Sequence, residues 1–403
     1  MTNTELHQMA AQLSDSLVGD RRYLHQHPEL SGYETGTARY IYDRLRAIGL
    51  EPRLLLEDRS VVADIVGEQG GGHALLLRAD IDALPILERG KERPYRSTVD
   101  GVMHACGHDA HVAVALGVAA LLVGLRDQLP GMVRLAFQPS EESAGGAGPM
   151  IGAGVLQGPK MEGALGLHIW SGVAAGTVGV RSGAIFASAD EFSVVITGRG
   201  GHGALPHQAL DPVPIASMVV LALQTLISRE TSPFQSAVVT IGRIEGGQVF
   251  NVIPETVSLV GTVRAFTKED RERLLRRVGE VASGIASAFG ATATMERGGG
   301  CPPVISDPAM ADLVRSAVLA SPEVELVEPE PLTVGDDMAL FLEAIPGCYF
   351  LLGGGNPEAG ITAPHHHPEF DLDEACLPIG VEVLTRAALE FCRNGLGSTP
   401  IAE

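Results

Sequence analysis

Met103-His104-Ala105-Cys106-Gly107-His108-Asp109-Ala110-His111 runs straight into an apolar segment, 112–125. A bilayer span needs about 20 apolar residues. This run is shorter, and Gly117 and Gly124 interrupt it. Residues 110–125 therefore read as an apolar helix of a globular domain. On either side, segments 61–66, 74–79, 131–138 and 163–170 are short, apolar and bounded by turn residues, as strands are. Strands alternating with helical patterns predict an α/β domain with a mainly parallel sheet.

The opening stretch also carries chemistry. Three histidines, a cysteine and an aspartate fall within nine positions. Gly107 separates Cys106 from His108, and a glycine lets the backbone turn tightly enough for thiolate and imidazole to converge on one ion. Asp109 could accept an imidazole N–H and fix its tautomer. A polar turn that merely holds histidines is the competing reading, and five ligand-type residues weigh against it. No paired second cluster lies nearby, so this is not a zinc-finger spacing. The remaining ligands must come from distant positions.

Suitable positions lie at strand ends. The strand at 74–79 runs into Asp80 and Asp82, and the strand at 131–138 into Pro139-Ser140-Glu141-Glu142. The strand at 163–170 carries His168, and His365-His366-His367 lies well inside the chain. A doubly wound sheet gathers such loops along one edge. Taken alone, Glu141 and Glu142 could be acids at a helix N-terminus. Together, Cys106, His108, Glu141/Glu142, His168 and one of His365–His367 could hold two ions sharing a ligand. That donor set suits Zn²⁺, with Mn²⁺ or Co²⁺ less favoured. One carboxylate would then be left to take a proton from water.

The pattern changes near residue 187. Segments 192–198, 236–244, 256–265 and 292–296 read as strands, and 211–229 and 268–289 as helices. This β-α-β-β-α-β order is the ferredoxin-like plan. It predicts an inserted domain at 187–298 within a first domain of 1–186 plus 299–403. The inserted domain holds a glycine-rich loop, 198–207, with His202. No Lys-Ser/Thr pair follows it, which argues against phosphate binding. At the N-terminus, 4–27 reads as one helix ended by Pro28.

The chain has 403 residues, beyond the roughly 250–300 at which single cores stop growing. Its net charge of −20 argues against nucleic-acid and anionic-membrane partners. Five scattered cysteines fit free thiols in a reducing compartment. No basic region followed by an apolar run opens the chain, so a cytoplasmic location is expected.

Segments 78–85, 103–111, 138–142, 168–170, 200–207, 250–254 and 261–264 together resemble the aminoacylase/carboxypeptidase family of dinuclear metallohydrolases. The branch is that of hippurate hydrolase, N-acyl-amino-acid amidohydrolase and indole-acetyl-amino-acid hydrolases. The resemblance covers nearly the whole chain from Arg21-Arg22-Tyr23-Leu24-His25 onward. It implies a metallohydrolase catalytic domain, an inserted lid and dimerisation domain, two divalent ions per subunit and a homodimer. It further implies Cys106 as bridging ligand, with His108, Glu142, His168 and His366 as the other ligands. Glu141 resembles the general base and His202 the oxyanion donor, often acting across a dimer interface. Asn251 and Arg264 match positions that hold the substrate carboxylate. Asp80 and Asp82 are implied in supporting roles, Asp82 orienting a ligand. His365 and His367 match nothing.

The implied reaction is cleavage of an N-acyl or N-aroyl amino acid, hippurate-like, by metal-activated water with Glu141 as base. A dipeptidase or carboxypeptidase of the same family and a non-catalytic binding homologue are the alternatives. A His-Asp phosphohydrolase would be all-helical, against the strands read here. Two departures stand out. Gly203 replaces the usual Ala or Ser, which predicts a looser loop. Asp336-Asp337-Met338 replaces Glu-Asp-Phe, which predicts a reshaped pocket.

Overall fold

The computed structural model describes residues 2–90 and 93–396 and divides into two compact units. The first unit comprises Met1–Ile185, Ile305–Glu330 and Asp337–Glu403, and the second Phe186–Val304 and Pro331–Asp336. The short segment Pro331–Asp336 thus joins the second unit, beyond the single insertion read from the sequence. Among the described residues no helix is long and apolar enough to cross a membrane.

The first unit opens with α1 (Asn3–Gln12), α2 (Ser14–Gln26) and α3 (Thr35–Ala47). The single helix expected over 4–27 is divided at Leu13, whose N–H turns back to the Ala10 carbonyl, three residues away. Strands β1 (Arg53–Leu55), β2 (Ser60–Val66) and β3 (Ala74–Asp80) follow, then α4 (His108–Gly124) and β4 (Met132–Gln138). Next come α5 (Ala147–Gly152), β5 (Gly163–Ala174) and β6 (Thr177–Gly179), before the chain leaves through β7 (Gly183–Phe186).

The second unit runs β8 (Ala189–Thr197), β9 (Gly201–His202), α6 (Pro212–Ser228), β10 (Ala237–Glu245), β11 (Val252–Ile253), β12 (Thr256–Ala265), α7 (Lys268–Ala288) and β13 (Thr292–Cys301). The chain returns through β14 (Val304–Ser306) to α8 (Pro308–Leu319), β15 (Glu325–Val327), α9 (Met338–Ala344), β16 (Gly347–Gly355) and α10 (Cys376–Asn394).

The first unit's sheet has the order β1-β2-β4-β3-β5-β16-β6-β15. Its central four strands, β4, β3, β5 and β16, are mutually parallel, while β1, β2 and β6 bring antiparallel pairings at the margins. Parallel strands buried on both faces read as continuous apolar runs, as the wholly buried β3 and β4 do. Helix α4 is apolar all round because α2 and α10 flank it above the sheet. Gly117 is what lets them close in. A Cβ there would lie 2.6 Å from both Leu17 and Val381 methyls.

This topology places the site. Asp80 and Gln138 are register partners at the carboxyl ends of β3 and β4, and His168 lies on β5 beside Leu351 of β16. Pro139–Glu142 forms a turn, not a helix start, and helix resumes only at α5.

In the second unit the sheet order is β10-β12-β8-β13, all antiparallel. With α6 and α7 between the strands in chain order, this is the ferredoxin-like plan. Phe192, Val194, Val219, Leu223, Leu259, Leu274 and Val278 form its core. Asp211 caps α6 ahead of Pro212, and Thr267 caps α7 through the Asp270 N–H. Strand β10 is an edge.

Candidate metal centre

Four separated segments of the first unit converge on one point. The ligand atoms of Cys106, His108 and His168 lie within 4.8 Å of one another, as do those of Cys106, Glu142 and His366. The same holds for His108, Glu141 and Glu142. Cys106 Sγ is 3.6 Å from His168 Nε2, and His366 Nε2 is 3.4 Å from Glu142 Oε2. His108 Nε2 is 3.9 Å from both Glu141 Oε2 and Glu142 Oε1. Gly107, at φ 91°, makes the turn between Cys106 and the first residue of α4. That left-handed conformation suits glycine.

Hydrogen bonds aim the imidazoles. His108 Nδ1–H donates to the Asp82 carbonyl at 2.9 Å, which turns Nε2 toward the cluster, where it has no hydrogen-bond partner among the described residues. His168 Nδ1–H donates to the Ile169 carbonyl at 2.7 Å, so Nε2 keeps its lone pair. Burial, helped by His111 and His365, holds the His168 pKa well below the usual range. His366 adopts φ 62°, and its N–H donates to the Ala105 carbonyl at 2.8 Å, tying its loop to that of Cys106.

The other two histidines of 103–111 have different fates. His111 Nδ1–H donates to Asp80 Oδ1 at 2.5 Å, and Nε2 accepts the Ile169 N–H at 2.9 Å. With both nitrogens used, His111 braces β5. His104 is buried with neither ring nitrogen hydrogen-bonded among the described residues, and burial pushes it down to about 4.

The donor set fits cations. Burial and the charges of Glu142, Glu141 and Asp80 push the Cys106 thiol well above its usual range. Burial alone would lower His108, but Asp80, Asp82 and Glu142 outweigh it and raise the imidazole to about 10. Glu142 Oε1 and His108 Nε2 are buried without hydrogen-bond partners among the described residues. Such a cluster of carboxylates, lone pairs and a thiol calls for positive charge at its centre.

Protons and cations compete for this centre, and the sign follows. With the His108 imidazole and the Cys106 thiol both pushed above their usual ranges, a bound cation displaces a proton from each. Metal affinity is expected to rise by more than about tenfold per pH unit between pH 6 and 8. Chelator competition at several pH values measures it. A flat profile would mean that neither group gives up a proton.

Asp82 is a support. Its Oδ2 accepts Ser31 Oγ–H at 2.7 Å and the Glu142 N–H at 3.0 Å. Asp80 pairs with Arg78 Nη1 at 2.7 Å and lies 3.6 Å from His108 Nε2. Asp337 and Met338 are fully buried. The Asp337 carboxylate accepts from Arg78 at 3.0 Å, Gln138 at 2.6 Å and the Ala147 N–H at 3.0 Å, anchoring the start of α5.

In the second unit, His202 and Asn251 are neighbours. His202 pairs with Val252 across β9 and β11, and the Gly203 N–H donates to the Asn251 carbonyl at 2.8 Å. The looser loop expected from Gly203 is not seen, because this ribbon is hydrogen-bonded on both sides of it. His202 Nδ1 accepts the Ala204 N–H at 3.0 Å, which leaves Nε2–H as an exposed donor. Arg264 lies on β12 opposite Val238.

Sequence reasoning missed Arg21, Glu34 and His365 as parts of this construction. His365 Nε2–H donates to the Ile169 carbonyl at 2.8 Å and stacks on Trp170. The adjacency of His365 to His366 was the one signal available for it.

The sequence model of the family described as Peptidase family M20/M25/M40 matches residues 76–390. N-acetyl-L-cysteine deacetylase of Bacillus subtilis (strain 168) is 43% identical over 365 residues, covering 91% of this chain and 85% of that protein. IAA-amino acid hydrolase ILR1-like 4 of Arabidopsis thaliana is 37% identical over 392 residues, covering 96% of this chain and 88% of that one. A crystal structure from Bacillus subtilis, described as a dinuclear metal-binding peptidase of the M20 family, superposes with a TM-score of 0.84 at 36% identity. That match covers 95% of this chain and 99% of the other.

Proposed function

The chain belongs to peptidase family M20/M25/M40, a family of hydrolases with dinuclear metal-binding members, and on that premise we propose that it cleaves the amide bond of N-acyl amino acids. One observation carries the reading. Cys106, His108, Glu142, His168 and His366 converge from four segments, with a further carboxylate, Glu141, beside them. Cys106, His108, Glu142, His168 and His366 would hold two divalent ions, with the Cys106 thiolate as the ligand best placed to serve both. The thiolate and imidazole content favours Zn²⁺ over Mn²⁺ or Co²⁺.

When bound, the two ions supply Lewis-acid polarisation of the amide carbonyl and activation of a water. Glu141 takes the proton of the attacking water and delivers it to the leaving nitrogen. Asp82 orients His108 and the Glu142 backbone. His202 Nε2–H donates to the developing oxyanion. Asn251 and Arg264 hold the substrate carboxylate. The second unit acts as lid and dimerisation domain.

A homodimer is supported by the second unit's surface. Edge strands invite pairing, and β10 is a nine-residue edge with Ile244 exposed. Helix α6 exposes Val213, Met218 and Leu221, the last at 72%. If His202 serves the partner's site, mixing His202→Ala chains with Glu141→Gln chains is expected to restore activity well above either parent. Subunit exchange, confirmed by mass spectrometry and followed by an assay, tests this. Complete exchange without recovery would assign His202 to its own subunit or to no catalysis.

The substrate class is tested on metal-reconstituted protein by reading released amino acid. The panel is N-acetyl-L-cysteine, benzoyl-glycine, indole-acetyl amino acids and glycyl dipeptides. Release from the N-acyl amino acids over the dipeptides is the expected result. Preference for dipeptides would make it a peptidase, and no release from any of them would overturn the reading.

A further inference from the structure

The loop between α2 and α3 reaches both acidic turns of the metal centre. Leu30 forms a parallel bridge with Ala83, and the Ala83 N–H donates to the Glu29 carbonyl at 2.8 Å. Ser31 Oγ–H reaches Asp82 as described. Glu34 then reaches across to the other turn. Its Oε1 accepts the Ser140 N–H at 2.7 Å, Ser140 Oγ–H at 3.1 Å and the Gly32 N–H at 2.9 Å.

Ser140 has φ 56°, a left-handed conformation that L residues with a Cβ rarely hold. Such a residue persists only where its surroundings over-determine it. Here they do. The Gly145 N–H closes on the Ser140 carbonyl at 2.9 Å, the Ala144 N–H closes on the Glu141 carbonyl at 2.7 Å, and Glu34 holds the Ser140 amide. Glu141 is the next residue. On its other side the Glu142 N–H is held by Asp82 at 3.0 Å. The backbone is therefore gripped by a carboxylate immediately before Glu141 and immediately after it.

Glu34 is fully buried, far in sequence from the turn, and its Oε2 has no hydrogen-bond partner among the described residues. Burial raises its carboxyl above the usual range. A carboxyl in such a place is costly unless its contacts are needed.

We propose that Glu34 is a positioning residue that locks Ser140 in its left-handed conformation and so sets the direction in which Glu141 leaves the backbone. The proposal rests on Glu141 being the general base. It predicts a dependence on the hydrogen-bond acceptor at Glu34 and not on its charge, because an amide oxygen can accept the same N–H groups.

The test uses the metal-loaded full chain and the N-acyl amino acid it hydrolyses fastest. It reads kcat, KM and metal per chain for Glu34→Ala, Glu34→Gln, Glu141→Gln and the double variant Glu34→Ala/Glu141→Gln. Glu34→Ala is expected to lose about 10²-fold in kcat, as a misplaced catalytic group does, with KM and metal unchanged. Glu34→Gln should retain most of kcat. The double variant should be no slower than Glu141→Gln alone, since a residue acting through Glu141 has nothing left to act on. If Glu34→Ala does not fold, Glu34→Asp, which draws the carboxylate back by one methylene, takes its place under the same criteria. Wild-type kcat in that variant, a Gln variant as slow as the Ala or Asp one, or a further loss on top of Glu141→Gln would each overturn the proposal. Wild-type turnover in Glu141→Gln alone would instead overturn the base assignment on which it rests.

Discussion

Glu141→Gln is expected to keep its metal and to lose about 10²–10⁴-fold in turnover, the range that general acid–base catalysis supplies. Distance to His108 does not separate the two glutamates, since each places an oxygen 3.9 Å from Nε2. Their other surroundings do. Glu142 converges with Cys106 and His366, and Asp82 holds its backbone N–H. Its Oε1 is buried with no hydrogen-bond partner among the described residues, as a ligand atom awaiting a cation would be. Glu142→Gln should therefore lower metal per chain as well as turnover. Elemental analysis beside the activity assay reads both. Metal lost from Glu141→Gln and kept in Glu142→Gln would exchange the two roles.

Arg21→Met is expected to cost about 3–5 kcal/mol of stability, because it removes the cation paired with the fully buried Asp109. Arg21 is fully buried and makes three ion pairs: Nε to Asp109 at 2.9 Å, Nη2 to Asp371 at 3.0 Å and Nη1 to Glu374 at 3.2 Å. The Tyr95 ring covers its guanidinium at 4.6 Å. His25 Nδ1 approaches the same Asp109 oxygen at 2.8 Å. Burial alone would raise the Asp109 carboxyl, but Arg21 and His25 hold it far below the usual range. Asp109 adjoins His108 at the start of α4, and Asp371 lies five residues past His366, so one guanidinium ties together two ligand-bearing segments. Methionine fills much of the volume but leaves Asp109 with His25 alone, while Asp371 keeps Arg93 and Glu374 keeps Arg22. Denaturant unfolding measures the loss, and metal affinity should fall with it. Stability within about 0.5 kcal/mol of wild type would show that the carboxylates find other partners.

Much of the molecule is legible locally. The strands read at 61–66, 74–79, 131–138 and 163–170, the apolar helix after His111 and the β-α-β-β-α-β order follow from periodicity, turn residues and run length, which are properties of neighbours along the chain. Ligand-type side chains at 106, 108, 141, 142 and 168, and one of 365–367, could be picked out because thiols, imidazoles and paired carboxylates at strand ends are rare without a reason, and the family resemblance then pointed to His366. Sequence also placed the net negative charge and the glycine that makes the turn between Cys106 and His108.

The fold alone decided what each of those side chains does. Three histidines in 103–111 look alike in the sequence, yet His108 faces the cluster, His111 is consumed between Asp80 and Ile169, and His104 is buried apart. The choice is made by which nitrogen each ring must spend on a distant partner, and those partners are 26 and 58 residues away for His108 and His111. Arg21 and Glu34 were invisible for the same reason. Their weight comes from carboxylates and amides 88 and 106 positions on, brought within hydrogen-bond reach only by the stacking of α2, α4 and the sheet. Periodicity reports which face of an element is apolar. Hydrogen-bond geometry and burial, which set tautomer, charge and aim, exist only once those faces have met.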